Sequence, residues 1–155
     1  MPETRPVTKD NWRELIELQV GEDQKHFVAT NLHSIAEAQF GYDEPEGGHW
    51  DFCPFGIYDG DSPVGFMMLG YDYSNSKQQA FIVRLMVDEK YQGRGYGTFA
   101  MQKALEVFRS DERIQVVGIS YEPENHTARK LYASLGFVEP GEMIGTEILA
   151  VLKFR

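Results

Sequence analysis

The feature that most constrains this chain is one run, Leu85-Met86-Val87-Asp88-Glu89-Lys90-Tyr91-Gln92-Gly93-Arg94-Gly95-Tyr96-Gly97. In it an apolar extended segment meets three glycines within five residues, and an amphipathic pattern follows. From Gln79 to Val87 the residues are apolar or β-favouring, with Arg84 as the interruption, as in a strand covered on both faces. Met101, Ala104, Leu105 and Phe108 then repeat at i, i+3, i+4 and i+7, so the glycines fall where a strand ends and a helix begins. Glycine tolerates positive φ and leaves the backbone approachable, and the unpaired amides of a first helical turn attract an anion. The junction predicts a strand-loop-helix unit that cradles a pyrophosphate.

Two familiar nucleotide motifs do not fit. A P-loop requires Lys-Ser or Lys-Thr after its last glycine, and Gly97 is followed by Thr98-Phe99. A dinucleotide fold uses Gly-x-Gly-x-x-Gly near the start of a βαβ unit, whereas the spacing here is Gly-x-Gly-x-Gly. The alternative is a glycine-rich turn with no ligand. Against it stands the conformational entropy that such a cluster loses on folding unless a bare backbone is required.

A second junction lies downstream. Gln115 to Tyr121 is apolar and β-rich, Glu122-Pro123-Glu124-Asn125 breaks it, and Ala128, Leu131, Tyr132 and Leu135 then repeat at helical spacing up to Gly136. Asn125 is a natural N-cap. Tyr132 follows it by close to two helical turns, so both project from about the same side. Capping for Asn125 and packing for Tyr132 are the plain roles, and either is compatible with a site role.

Composition removes other classes. The chain has 155 residues, enough for one domain with a real core, and the expectation is a single domain over 1–155. Twenty-four acidic against fifteen basic residues give a net charge of -9, which repels a polyphosphate backbone and disfavours nucleic acid as a partner. The same field favours a cationic ligand. No apolar run reaches a membrane span and Met-Pro-Glu-Thr-Arg lacks a signal stretch, so a cytoplasmic location and no membrane partner are expected. Cys53 is the only cysteine, which rules out an intramolecular disulfide; placed before Pro54, it reads as a packed residue and not as a nucleophile. His26, His33, His49 and His126 lack metal-ligand spacing, so no metal is expected.

Two amphipathic helices are expected first, with stripes Trp12, Leu15, Ile16, Val20 and Val28, Leu32, Ile35, Ala36, Phe40. Gly41 to Asp51 reads as a surface loop. Phe55–Tyr58 and Val64–Leu69 flank a turn at Asp59-Gly60-Asp61-Ser62, a hairpin pattern, and a strand over Glu147 to Lys153 closes the chain. The order ααβββαβαβ is an α+β layout on a mixed sheet with helices on its faces.

Gln92-x-x-Gly95-x-Gly97, preceded by Leu85-x-Val87, resembles the acyl-CoA signature of the GNAT superfamily of N-acetyltransferases. Asn125-x-x-Ala128-x-x-Leu131-Tyr132-x-x-x-Gly136-Phe137 resembles its other signature. Phe27-Val28-Ala29-x-Asn31-x-x-Ser34-Ile35-Ala36-Glu37-Ala38, Pro54-Phe55-Gly56-Ile57-Tyr58, Val64-Gly65-Phe66 and Arg84-Leu85-Met86-Val87 are similar to the bacterial spermine/spermidine acetyltransferase branch. The resemblance covers nearly the whole chain. It departs from the animal diamine acetyltransferases, which carry acidic residues on the strand before the CoA loop where this chain has Val83 and Arg84.

The resemblance implies α/β/α layers around a mixed, mostly antiparallel sheet, with a splayed parallel pair at the acyl-CoA site. It implies acetyl-CoA as co-substrate, a small amine acceptor such as spermidine or spermine, and a possible homodimer. Backbone groups of Leu85, Met86 and Val87 would hold the pantetheine and thioester. Amides of Gln92, Gly93, Arg94, Gly95, Tyr96, Gly97 and Thr98 would hold the pyrophosphate, with Arg94 adding charge if it turns inward. Asn125 would touch the CoA arm, and Tyr132 would protonate the departing thiolate. Glu37, Asp72 and Glu122 are candidates for the base, and Glu37 and Asp72 for carboxylates facing a bound cation. The alternatives are another acceptor (an aminoglycoside, an amino acid or a protein N-terminus) and a non-catalytic CoA-binding module, which the intact Tyr132 argues against.

Overall fold

The apolar segment that precedes the glycines becomes the middle strand of the sheet. The computed structural model describes residues 1–155. In chain order the elements are β1 (Pro2–Pro6), α1 (Trp12–Ile16), α2 (Asn31–Ala38), β2 (Tyr42–Asp43), β3 (His49–Asp59), β4 (Ser62–Tyr71), β5 (Ala80–Val87), α3 (Tyr96–Arg109), β6 (Val116–Tyr121), α4 (His126–Ser134), β7 (Met143–Ile144) and β8 (Glu147–Lys153). Single 3₁₀ turns lie at Glu22–Gln24 and Glu89–Tyr91. The strands order as β1-β3-β4-β5-β6-β8-β7, with β2 on β3, and only β5 and β6 run parallel.

One face of the sheet carries α3 and α4. Met101, Ala104, Leu105 and Phe108 of α3 close with Ile57, Met67, Leu69, Ile82, Val117, Ile119 and Tyr132 into the main core. Full burial of a side chain such as Phe108 stabilises by roughly 1.5–3 kcal/mol. On the other face Phe66, Met68 and Met86 lie under Leu18, Val20, Val28, Ile35 and Ala38.

The parallel pair is short. Ala80 faces Val117, Phe81 faces Gly118 and Ile82 faces Ile119, and the pairing stops there. Against β4 the register jumps from Leu69↔Ile82 to Met68↔Arg84, so Val83 is an extra residue, a bulge. A bulge bends its strand and shifts the side-chain alternation. Accordingly Ile82 and Leu85 both pack on the α3 side, while Val83 and Met86 both pack on the α1–α2 side. The strands part at the bulge and leave a cleft.

Four expectations change. The first helix stops at Ile16, because Gln19 is held out of helix: its N–H donates to Asp88 Oδ2 at 2.9 Å and its carbonyl accepts from Glu89 N at 2.9 Å. In the second stripe the helix spans only Asn31–Ala38, capped by Thr30 Oγ1 on His33 N at 3.1 Å, with Val28 before it and Phe40 exposed beyond it. Within the expected loop 41–51, Tyr42↔Trp50 and Asp43↔His49 pair as a small hairpin. The chain opens on a strand and not on a helix: β1, with prolines as its end residues, lies at the sheet edge, where missing amide donors are tolerated.

Candidate functional site

The divergence of β5 and β6 opens a cavity of about 890 Å³. Its walls are Phe81–Val87, Ile119–Tyr121, the first turn of α3, one side of α4 and residues of the 20–29 segment. At one end lies the glycine loop. Gly93 and Gly95 hold φ of +77 and +87, a region L side chains rarely occupy. No backbone amide from Gln92 to Thr98 donates a hydrogen bond within the chain; the first to do so is Phe99, to the Gly95 carbonyl at 3.0 Å. The loop and the first turn of α3 thus present a row of free donors at a positive helix end.

Individual residues differ from the uniform expectation. Gly97 lies inside α3 without positive φ, and a Cβ there would meet Val87 Cγ2 at 3.9 Å and Leu131 Cδ2 at 4.0 Å, so its bare backbone serves approach alone. The Gln92 side-chain amide turns away from the loop, donating to the Val87 carbonyl at 3.0 Å and to Gln24 Oε1 at 2.9 Å. The Arg94 guanidinium lies 5.5 Å from the Tyr91 ring, exposed and outside the cavity wall.

The cleft edge of β5 follows from antiparallel alternation. Asp88 N donates to the Val64 carbonyl at 2.9 Å, so Val87, opposite Gly65, and Leu85, opposite Met67, turn their N–H and C=O away from β4. Gln92 reaching the Val87 carbonyl agrees with this. Met86 points its backbone at β4 and its side chain into the α1–α2 core, and it too lines the cavity.

From the opposite wall come Asn125 and Tyr132. Asn125 caps α4, its Oδ1 accepting from Ala128 N at 3.3 Å, and it lines the cavity as well. Tyr132, 8 % exposed, packs its ring 5.5 Å from Tyr121 and 6.2 Å from Phe137. Burial raises its pKa, with Tyr121 and Glu147 adding to the effect, so its hydroxyl is protonated at neutral pH. Burial and its bond to Glu139 push the Tyr121 phenol up to about 12.

The carboxylates singled out in the sequence lie elsewhere. Glu37 accepts from Arg84 Nη2 at 3.2 Å; Arg84 lines the cavity and Glu37 stands behind it. Asp72 is buried, its Oδ1 accepting from Ser74 N at 3.1 Å and Ser74 Oγ at 2.6 Å. Glu122 accepts from Thr146 Oγ1 at 3.0 Å. None of the three is in the cavity wall. Sequence reasoning missed Ser120, Glu147 and His26, which do line it. Ser120 had a usable signal: it is a polar interruption near the end of the apolar segment Gln115 to Tyr121, just before the junction at Asn125.

Comparison with known proteins agrees with this geometry. The family model of the Acetyltransferase (GNAT) family matches residues 12–137. A spermine/spermidine N(1)-acetyltransferase of Bacillus subtilis is 27% identical over 143 residues, covering 90% of this chain and 89% of the relative. A spermidine N-acetyltransferase from Vibrio cholerae, solved with CoA and spermine, superposes with a TM-score of 0.70 at 14% identity, over 98% of this chain and 95% of that one. An aminoglycoside acetyltransferase solved with coenzyme A superposes with a TM-score of 0.73 at 15% identity, over 99% and 95%. With the split parallel pair, the free-amide loop and this match over most of its length, the chain belongs to the GNAT family of acetyl-CoA-dependent N-acetyltransferases.

Proposed function

We propose that the chain acts as one catalytic domain over 1–155 that transfers the acetyl group of acetyl-CoA to a primary amine of a small polycation, spermidine or spermine. The observation that carries the catalytic part is the single cavity that joins free amides at one end to the buried Tyr132. In this reading the amides of residues 92–98 bind the pyrophosphate. The cleft-facing backbone of Leu85 and Val87 pairs with the amide arm and polarises the thioester carbonyl. Asn125 touches the arm while capping α4. Attack is direct, and Tyr132 gives its proton to the departing thiolate. Cys53 takes no part; burial raises its thiol pKa.

The polycation is supported by the name of the Bacillus subtilis relative and by the net charge of -9. In this reading the acidic 43–51 segment faces the acceptor: its Trp50 meets the cavity residue Phe81 at 6.0 Å, and it carries Asp43, Glu44 and Asp51. Glu37 acts there together with Arg84, and Asp72 adds to the field of the 43–51 segment. Arg84 in the cavity wall favours a second reading, an amine whose body carries a carboxylate, such as an amino acid or a peptide N-terminus.

Thiol release from acetyl-CoA across a panel of amines tests both. Spermidine and spermine are the expected acceptors; turnover only with amino acids or peptides leaves the second reading. Tyr132→Phe is expected to lower kcat by roughly 10²–10⁴-fold with acetyl-CoA affinity retained, and Cys53→Ala to leave turnover unchanged. Wild-type turnover by Tyr132→Phe refutes the acid role.

A further inference from the structure

Of the side chains that line the cavity, only Glu147 carries a carboxylate. It is the first residue of β8, delivered by the two-residue turn Gly145-Thr146, in which Gly145 holds φ +60 and Ile144 pairs with Glu147. The turn is tied down by the Thr146 hydroxyl on Glu122. Across the cavity wall Ser120 Oγ donates to Glu147 Oε1 at 2.6 Å. Ser120 directly follows Ile119, the last β6 residue paired with β5, so the dyad stands where the strands part. Glu147 has no Lys, Arg or His partner within 4.0 Å, and the one guanidinium of the wall, Arg84, is engaged by Glu37. The other titratable side chains around the cavity are Tyr121 from β6, Tyr132 from α4, Arg84 from β5, His26 from the 20–29 segment, and Tyr91 and Tyr96 at the glycine loop.

We propose that Glu147, held by Ser120, receives the ammonium group of the acceptor and removes its proton. The proposal rests on the reading of this cavity as the acetyl-transfer site. The proton leaves nitrogen for the carboxylate and passes to solvent. The freed lone pair bonds to the thioester carbon, and the C–S bond breaks as Tyr132 protonates sulfur. The nitrogen of the collapsing adduct loses a second proton, which restores the tyrosine. The balance is one ammonium and one thioester in, and one amide, one thiol and one proton out.

Glu147→Gln keeps the hydrogen bond from Ser120 but cannot take the proton. For spermidine, kcat/KM is expected to fall by about 10²-fold or more near neutral pH. The deficit should shrink as pH rises and the amine loses its proton unaided, while acetyl-CoA affinity by calorimetry and the melting temperature stay at wild-type values. An alkylamine fluorinated beside its nitrogen, already largely neutral at the assay pH, should lose far less than spermidine. Ser120→Ala, which keeps the carboxylate but loosens it, should show a smaller deficit of the same pH shape. Wild-type turnover by Glu147→Gln, or in a well-folded variant a deficit equal at every pH, overturns the role of Glu147 and leaves the acetyl-transfer reading intact. Should Glu147→Gln fail to fold, the Ser120→Ala profile decides: a pH-independent deficit, or none, overturns the proposal. A wild-type protein that binds acetyl-CoA yet releases no thiol with any amine overturns the reading itself.

Discussion

Gly95 and Gly97 look equivalent in the motif, and the structure assigns them opposite responses to alanine. Gly95 sits just before α3 with φ +87 and ψ 6, and a Cβ there meets nothing within 4 Å. The cost of Gly95→Ala is therefore backbone strain, roughly 1–2 kcal/mol for a left-handed residue. Gly97 is already helical, and its Cβ would make ordinary contacts at 3.9 Å and 4.0 Å. Gly97→Ala is therefore expected to gain up to about 1 kcal/mol of helix propensity. The two variants should differ by about 2–3 kcal/mol, or roughly 4–12 °C in melting temperature for a chain of this size. Binding should not follow stability. The Gly97 methyl points at Val87 and Leu131, both in the cavity wall, so the more stable variant should lose about tenfold or more in acetyl-CoA affinity, 1.4 kcal/mol. Thermal melts without ligand and calorimetry with acetyl-CoA measure the two quantities separately. A Gly97→Ala protein that melts below wild type, or binds acetyl-CoA as wild type does, refutes the reasoning; so does a Gly95→Ala protein as stable as wild type.

Asn31→Ala removes the buried amide that donates to the Leu15 carbonyl at 2.8 Å and leaves that carbonyl with only the longer bond from Leu18 N at 3.3 Å. It should cost about 1 kcal/mol, read as a lower urea midpoint at unchanged slope. Glu37→Gln frees Arg84 from its 3.2 Å partner, so KM for spermidine should rise, more at low than at high ionic strength, while an acceptor bearing a carboxylate should bind better; steady-state kinetics at two salt concentrations reads both. Arg129 first, and then Tyr121, hold the Glu139 carboxyl below its ordinary value. Its contribution to stability is therefore present above the unfolded carboxylate pKa and is lost as pH falls through the lower folded value. Glu139→Gln should flatten the acid limb of a stability-pH curve, modestly and in a salt-sensitive way because the pair is solvent-accessible.

The core was legible because its signals are local. The spacing of Met101, Ala104, Leu105 and Phe108 placed α3, Asn125 and Gly136 marked the ends of α4, and Gly136 does hold φ +99. Elements set by distant partners were not. Val20 continues the helical stripe of Trp12, Leu15 and Ile16, yet the backbone of Gln19 is claimed by Asp88 and Glu89, far away in sequence. The same limit applied to the site. The glycines, Leu85, Val87, Asn125 and Tyr132 could be placed because their positions follow from strand and helix ends. Glu147 could not, because only the β6–β8 and β7–β8 pairings bring it to Ser120.

The bulge at Val83 ties these parts together. Without the extra residue the alternation of β5 would carry through, and Arg84 would continue the face of Ile82 toward α3. With it, Leu85 turns to that face while Arg84 turns toward α2, where Glu37 accepts from it. The bend also ends the parallel ladder at Ile82↔Ile119, leaving the outer N–H and C=O groups of Leu85 and Val87 without a strand partner. Exposed strand edges invite pairing, and this one opens on a cavity whose other walls come from the 20–29 segment and α4. The free amides of residues 92–98 lie at the end of the same edge. A ligand that satisfied both sets would be an extended amide-bearing arm ending in an anion, and in the proposed reading the far tip of that arm lies toward Ser120 and Glu147.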